Sequence, residues 1–201
     1  MSAAEPVAVV RTGTANLASV VAALERAGRP AELTDDPERV RRAARVVLPG
    51  VGAFGPVARR LADSGLTPVL KERIAGGRPT LAICLGLQLL AESSEESPGE
   101  AGLGAIPGVV RRLPDGVRVP QLGWNRVEAD PACSLLEDGA AYFANSFRLE
   151  SVPTGWRGAV ADHGGPVVAA VERGAILACQ FHPELSAAYG QRLVVRWLEM
   201  S

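Results

Sequence analysis

Cys84 lies in Ile83-Cys84-Leu85-Gly86-Leu87-Gln88, and far along the chain Gln180-Phe181-His182-Pro183-Glu184 carries one of only two histidines. A thiol, an imidazole and an acid spaced to orient that imidazole are the groups that acyl transfer to a thiol requires. Pro183 fixes the backbone between His182 and Glu184. Residues two apart in extended chain share a side, so the Glu184 carboxylate can orient and polarise the His182 ring. The other histidine, His163, precedes Gly164-Gly165-Pro166. No acid is placed to orient it, and it reads as a solvated loop residue. Plainer readings stand beside these. Cys84 can be an inert buried cysteine at the end of a core strand. Glu184 can be a carboxylate at the N-terminus of the helix that follows, and it can serve in both ways.

The elements around these residues decide whether they can meet. Thr80-Leu81-Ala82-Ile83 is short, apolar and partly β-branched, and a helix-like run follows from Leu85 to Glu92. Cys84 is thus expected at a strand-to-helix turn, its thiol at the carboxyl end of the sheet, where the unpaired N–H groups of a helix start favour an anion. The Leu85 N–H is placed there to donate to a carbonyl oxygen that gains charge. Ala175 to Cys179 forms a second strand-like run just before His182. A third, Val46-Val47-Leu48-Pro49, enters the turn Gly50-Val51-Gly52, whose backbone N–H groups can approach a ligand closely and complete an oxyanion hole. A phosphate-cradling loop is the alternative for that turn. It ranks low, because no Lys-Ser or Lys-Thr follows and there is no G-x-G-x-x-G.

Along the chain, strands are expected at 6–10, 31–34, 45–48 and 79–83, alternating with helices at 17–27, 56–63, 67–75 and 85–92. This is the pattern of an α/β protein with a mostly parallel sheet and helices on both faces. From about 105 to 180 strand-like pieces dominate, separated by Pro114-Asp115-Gly116, Glu137-Asp138-Gly139 and His163-Gly164-Gly165. These are expected to add antiparallel strands before a closing helix at 186–199, giving a mixed sheet. The serine-rich acidic stretch Glu92 to Glu100 reads as a surface loop. With no repeat and no long linker, residues 1–201 are expected to form one domain.

Composition narrows the function classes. The 201 residues are 47% hydrophobic with a formal net charge of -1, which supports one sizeable core and gives no electrostatic case for nucleic acid or an anionic membrane. The arginines 39, 41, 42 and 45, and 111, 112 and 118, read as solvated faces or edges. No signal-like start and no apolar run long enough to span a bilayer occurs, so a cytoplasmic protein is expected. Three cysteines without paired spacing fit a reducing compartment, and no Cys/His cluster has zinc-like spacing. Neither a metal nor a cofactor is expected.

Taken together, the motifs resemble those of class I glutamine amidotransferases and, more narrowly, of the glutaminase subunits of imidazole glycerol phosphate synthase. Pro49-Gly50-Val51-Gly52-Ala53-Phe54 is similar to the oxyanion strand of that subfamily, and Cys84-Leu85-Gly86-Leu87-Gln88 to its nucleophile motif. Pro120-Gln121-Leu122-Gly123-Trp124-Asn125 resembles its Pro-x-x-Gly-Trp-Asn block, and the stretch from Gly13 to Val20 its Gly-x-Gly-Asn-Leu-x-Ser-Val start. The resemblance implies a flavodoxin-like amidotransferase fold and hydrolysis of glutamine through a γ-glutamyl thioester by Cys84, His182 and Glu184. It implies that Gln88, Glu96 and the Ser146-Phe147 backbone position the substrate. It also implies a heterodimer with a (β/α)8-barrel cyclase subunit that uses the ammonia in histidine biosynthesis, with Asn16, Pro120, Trp124, Asn125 and Leu185 facing that partner. Three departures stand out: Arg11-Thr12 replaces the family's Asp-Tyr opening, Asn145 stands where His is common, and Leu185 where Lys is usual. In the family that lysine commonly pairs with an acid on the cyclase.

Overall fold

The computed structural model describes residues 5–13 and 16–200. Thr14 and Ala15, part of the block similar to the family's start, lie outside the described residues. In order, the first half forms β1 (Val7–Val10), α1 (Leu17–Arg26), β2 (Ala31–Thr34), α2 (Pro37–Arg42), β3 (Val46–Gly50), α3 (Phe54–Asp63), α4 (Leu66–Ala75), β4 (Thr80–Cys84) and α5 (Leu85–Leu89). Then come β5 (Ala91–Ser94), β6 (Ile106–Arg112), β7 (Gln121–Ala129), β8 (Gly139–Asn145), β9 (Phe147–Arg148), β10 (Arg157–Asp162), β11 (Pro166–Arg173) and β12 (Ile176–Cys179). A 3-10 turn, Pro183–Leu185, leads into α6 (Ala187–Glu199).

Among the described residues nine strands form one sheet in the order β2-β1-β3-β4-β12-β11-β10-β7-β8. The pairs β1–β2, β1–β3, β3–β4 and β4–β12 are parallel, and each later pair is antiparallel. The expected mixed sheet is therefore present. Strands β1, β3, β4 and β12 are buried along their whole length, as their continuous apolar runs require when helices cover both faces. One core gathers Phe54, Leu61, Leu70 and Ile74 of α3 and α4 with Ala8, Leu48 and Ala82 of the sheet. The other gathers Val20 and Leu24 of α1 and Leu193 and Trp197 of α6 against Val9, Leu81 and Leu177. Alternate residues of one strand thus feed opposite cores.

Two expectations need correction. The helix expected at 85–92 ends at Leu89, and Ala91–Ser94 is a strand paired in parallel with β6. Backbone bonds explain this: the Leu90 carbonyl accepts from the N–H groups of Ala105 and Ile106, and the Glu92 carbonyl from Gly102. Tertiary pairing here outweighs the helix propensity of Leu-Ala-Glu. The stretch expected as a loop from Glu92 accordingly begins as strand and turns only after Ser94. A second omission is α2, announced by Asp36 as N-cap and Pro37 in the first turn. Its arginines are paired: Arg39 with Glu32, and Arg41 with Glu38 and Glu72.

The antiparallel half curls back on the parallel half. Although β8 is the far edge of the sheet, the Tyr142 carbonyl accepts from the His182 N–H (2.9 Å). That closure brings the end of β8 over the carboxyl ends of β4 and β12.

Candidate active site

Cys84 ends β4, and its ladder partner is Gly50, the last residue of β3. On the other side β4 pairs with β12, after which the chain leads to His182. The site therefore stands at the carboxyl ends of three adjacent parallel strands, where open α/β sheets place their ligands. Cys84 has φ 54° and ψ -108°, a left-handed backbone uncommon for a side-chain-bearing residue. Such strain is a mark of a functional turn, because it lifts the side chain out of the strand's direction. Gly86 permits the turn: a Cβ there would sit 2.0 Å from the Leu48 carbonyl oxygen. Leu85 is the first residue of α5, so its N–H has no partner within the helix.

His182 and Glu184 meet as their spacing suggests. Their side chains are only 6% and 3% exposed, and His182 Nδ1 lies 2.8 Å from Glu184 Oε1. A carboxylate can only accept, so Nδ1 carries the proton and donates; the ring's other nitrogen is left for the hydrogen bond to Cys84. Burial alone would push the His182 pKa down. The hydrogen bonds to Cys84 and Glu184, and the negative charge they bring, outweigh it and raise the value to about 10. The loop that carries the ring is fixed by Ser186, whose hydroxyl donates to the His182 carbonyl (2.6 Å) and accepts from the Tyr142 N–H (2.9 Å). His163 is elsewhere, its Nε2 2.7 Å from the Arg118 carbonyl oxygen.

A cavity of about 230 Å³ opens over the sulfur, lined by Val51, Gly52, Cys84, Leu85, Gln88, Glu96, Ala144, Asn145, Ser146, Phe147 and His182. Its volume lies below the several hundred Å³ of drug-sized pockets and suits a small metabolite. The residues singled out from sequence as oxyanion and substrate groups line this one cavity, except Gly50, which lies behind it as the ladder partner of Cys84. Gln88 is buried and donates through Nε2 to the Phe147 carbonyl and to Gln180 Oε1, both at 3.1 Å. Glu96 Oε2 accepts from the Phe54 N–H at 2.7 Å, capping α3, whose own N-cap residue Ala53 supplies no side-chain bond. The Ser97 hydroxyl takes the next N–H, that of Gly55 (2.9 Å). These two bonds moor the turn after Gly52, so the Glu96 segment braces the wall that carries Val51 and Gly52.

Sequence reasoning missed three contributors. Gln180 is fully buried and places Nε2 3.7 Å from Cys84 Sγ. Its signal was a polar side chain between apolar Cys179 and Phe181. Ser186 sits four residues after His182 and is legible only once α6 is located. The Ala144 carbonyl, 4.0 Å from the sulfur, is a backbone group that no side-chain motif announces. Of the residues expected at a partner surface, Trp124 is 57% and Leu185 40% exposed, and Leu122, also 57% exposed, shares the outer face of β7 with Trp124. Trp124 stacks edge-on to Tyr142. Pro120 is exposed, Asn125 Nδ2 donates to the Asp162 carbonyl (2.7 Å), and Asn16 Oδ1 caps α1 by accepting from the Ser19 N–H (3.4 Å).

Residues 14–197 match the family model described as glutamine amidotransferase class-I. Imidazole glycerol phosphate synthase subunit HisH of Streptococcus gordonii is 40% identical over 196 residues, covering 95% of this chain and 94% of that protein. The subunit of the same name from Leifsonia xyli subsp. xyli is 44% identical over 205 residues, 96% of this chain and 97% of that one. Among solved structures, a glutamine amidotransferase crystal structure superposes with a TM-score of 0.78 at 23% identity, covering 96% of this chain and 97% of the other. PurLQS from Thermotoga maritima gives 0.73 at 17%, covering 96% and 98%. The structural likenesses, at such low identity, speak for the fold. The family model and the close relatives span most of the sequence, and this chain belongs to the class-I glutamine amidotransferase family.

Proposed function

We propose that this chain is the glutaminase subunit of an imidazole glycerol phosphate synthase, hydrolysing glutamine to glutamate and ammonia and passing the ammonia to a (β/α)8-barrel cyclase subunit in histidine biosynthesis. Residues 1–201 act as one amidotransferase domain. Relatives that bear that subunit's name, at 40% and 44% identity over nearly their full length, support the pathway. The observation that carries the chemistry is the buried contact of His182 with Glu184 on one side of its ring and Cys84 on the other.

The reaction follows from that arrangement. Cys84 Sγ, its proton taken by His182, attacks the γ-carboxamide carbon of glutamine, and the carbonyl oxygen gains negative charge. N–H groups of Leu85 and of the Gly50-Val51-Gly52 turn receive that charge. The tetrahedral species collapses, the C–N bond breaks, and His182 gives its proton to the departing nitrogen, which leaves as ammonia. A γ-glutamyl thioester remains on Cys84. Water, deprotonated by His182, attacks it; the C–S bond breaks, glutamate leaves and the thiol is restored. Glu184 holds the ring in one tautomer throughout. Gln88, Glu96 and the Ser146-Phe147 backbone position the substrate in the cavity.

The partner surface is read as the outer face of β7 with Pro120, Trp124 and Asn125, together with Leu185 and Asn16. Large apolar side chains left exposed beside a catalytic cavity are what a docking face requires. Acid-quenching the reconstituted complex during turnover and mapping the protein by mass spectrometry tests the mechanism. A γ-glutamyl adduct on Cys84 is expected; an adduct on any other residue contradicts it.

A further inference from the structure

We infer that Gln180 is a direct donor to the Cys84 sulfur, holding it in its anionic form and itself locked in orientation by Gln88. The inference rests on the reading of Cys84 as the nucleophile. Gln180 is 0% exposed, yet its amide is satisfied at both ends: Oε1 accepts from Gln88 Nε2 at 3.1 Å, and Nε2 points at Cys84 Sγ at 3.7 Å. The orientation is not free. Gln88 must turn its NH2 group toward the Phe147 carbonyl, which can only accept, and that same NH2 group meets Gln180. Gln180 therefore presents its carbonyl to Gln88 and its NH2 to the sulfur. Its backbone is pinned as well, since the Gln180 N–H donates to the Ala169 carbonyl (2.8 Å).

Two neighbours of the sulfur favour opposite protonation states. The Ala144 carbonyl, 4.0 Å away, only accepts and so suits S–H. The Gln180 N–H only donates to sulfur and so suits the anion. The helix after Cys84 has five residues rather than the expected eight, which leaves less of a dipole to favour charge there and more for discrete donors to do. Gln88 lines the substrate cavity, so the chain Gln88–Gln180–Cys84 also ties occupancy of that cavity to the nucleophile.

The test is the rate at which iodoacetamide alkylates Cys84 in the full chain across a pH series, read by site-resolved mass spectrometry with Cys133 as internal control. The ionisable groups facing the sulfur are His182, Glu184 behind it, Glu96 across the cavity and Cys179 on the neighbouring strand; none is altered. Gln180→Leu is expected to slow alkylation at neutral pH by roughly ten- to a hundred-fold, the worth of a hydrogen bond to a charged group. Gln180→Glu keeps an acceptor for Gln88 but sets a carboxylate beside the sulfur, and should slow alkylation at least as much. Folded variants that alkylate along the wild-type curve overturn the inference. A readout that needs no Gln180 variant is the side-chain amide resonance of Gln180, which must move when Cys84 is replaced by alanine; an unmoved resonance also overturns it. Failure of the amidotransferase reading is separate, showing as wild-type Cys84 that never carries a γ-glutamyl group.

Discussion

His182 is pulled two ways: burial disfavours its charge, while Cys84 and Glu184 favour it, and the balance lifts its pKa to about 10. The raised value fixes a sign. A group protonated more readily in the folded state contributes stability that is fully present below its unfolded value, about 6.5, and is lost as pH rises through about 10. Part of the rise comes from Cys84. In Cys84→Ala the ring stays buried and keeps Glu184 but loses the sulfur, so the His182 ring observed by NMR should titrate at lower pH than in the wild type. An unchanged midpoint would mean that the sulfur and the imidazole do not sense each other. This much of the site was legible from residues alone, because the His-x-Glu spacing already dictates which acid can reach the ring. Gln180 was not: its contact depends on the depth at which β12 ends beside β4.

At the level of elements, the turn from β4 into α5 is tightly constrained. Adding a methyl group at Gly86 would bring it 2.0 Å from the Leu48 carbonyl oxygen, a backbone atom that cannot rotate away. Gly86→Ala should therefore destabilise the fold by about 3 kcal/mol, the upper end for overpacking, seen as a lower urea midpoint with unchanged slope. A stability within about 0.5 kcal/mol of wild type would show that the turn relaxes. The parallel half was readable in sequence because short apolar runs alternate with amphipathic helices. The turn of the chain into β5 was not, since Leu90 and Ala91 carry helix-forming neighbours and are claimed by β6 only through distant backbone bonds. The curl that sets Tyr142 and Ala144 beside the catalytic groups is equally a property of the sheet, and no local pattern encodes it.

Across the whole molecule, the exposed apolar face of β7 and Leu185 argue for a partner, and Leu185 tests where it sits. Leucine cannot pair with an acid, and an acid buried against it without a partner would cost several kcal/mol. The chain's own cyclase should thus offer a neutral contact there. Leu185→Lys is expected to weaken binding to that cyclase and to strengthen binding to a cyclase that carries an acid at the spot. Titrating both chains against both cyclases gives the coupling as a double-mutant cycle, and a coupling near zero would place position 185 outside the interface. The central claim is that one thiol generates the ammonia while the partner alone consumes it. Replacing Cys84 by alanine in the reconstituted complex and measuring synthesis from glutamine and from ammonium salt tests it most directly: glutamine-dependent synthesis should vanish while ammonia-dependent synthesis persists, and glutamine turnover surviving in Cys84→Ala would contradict the account.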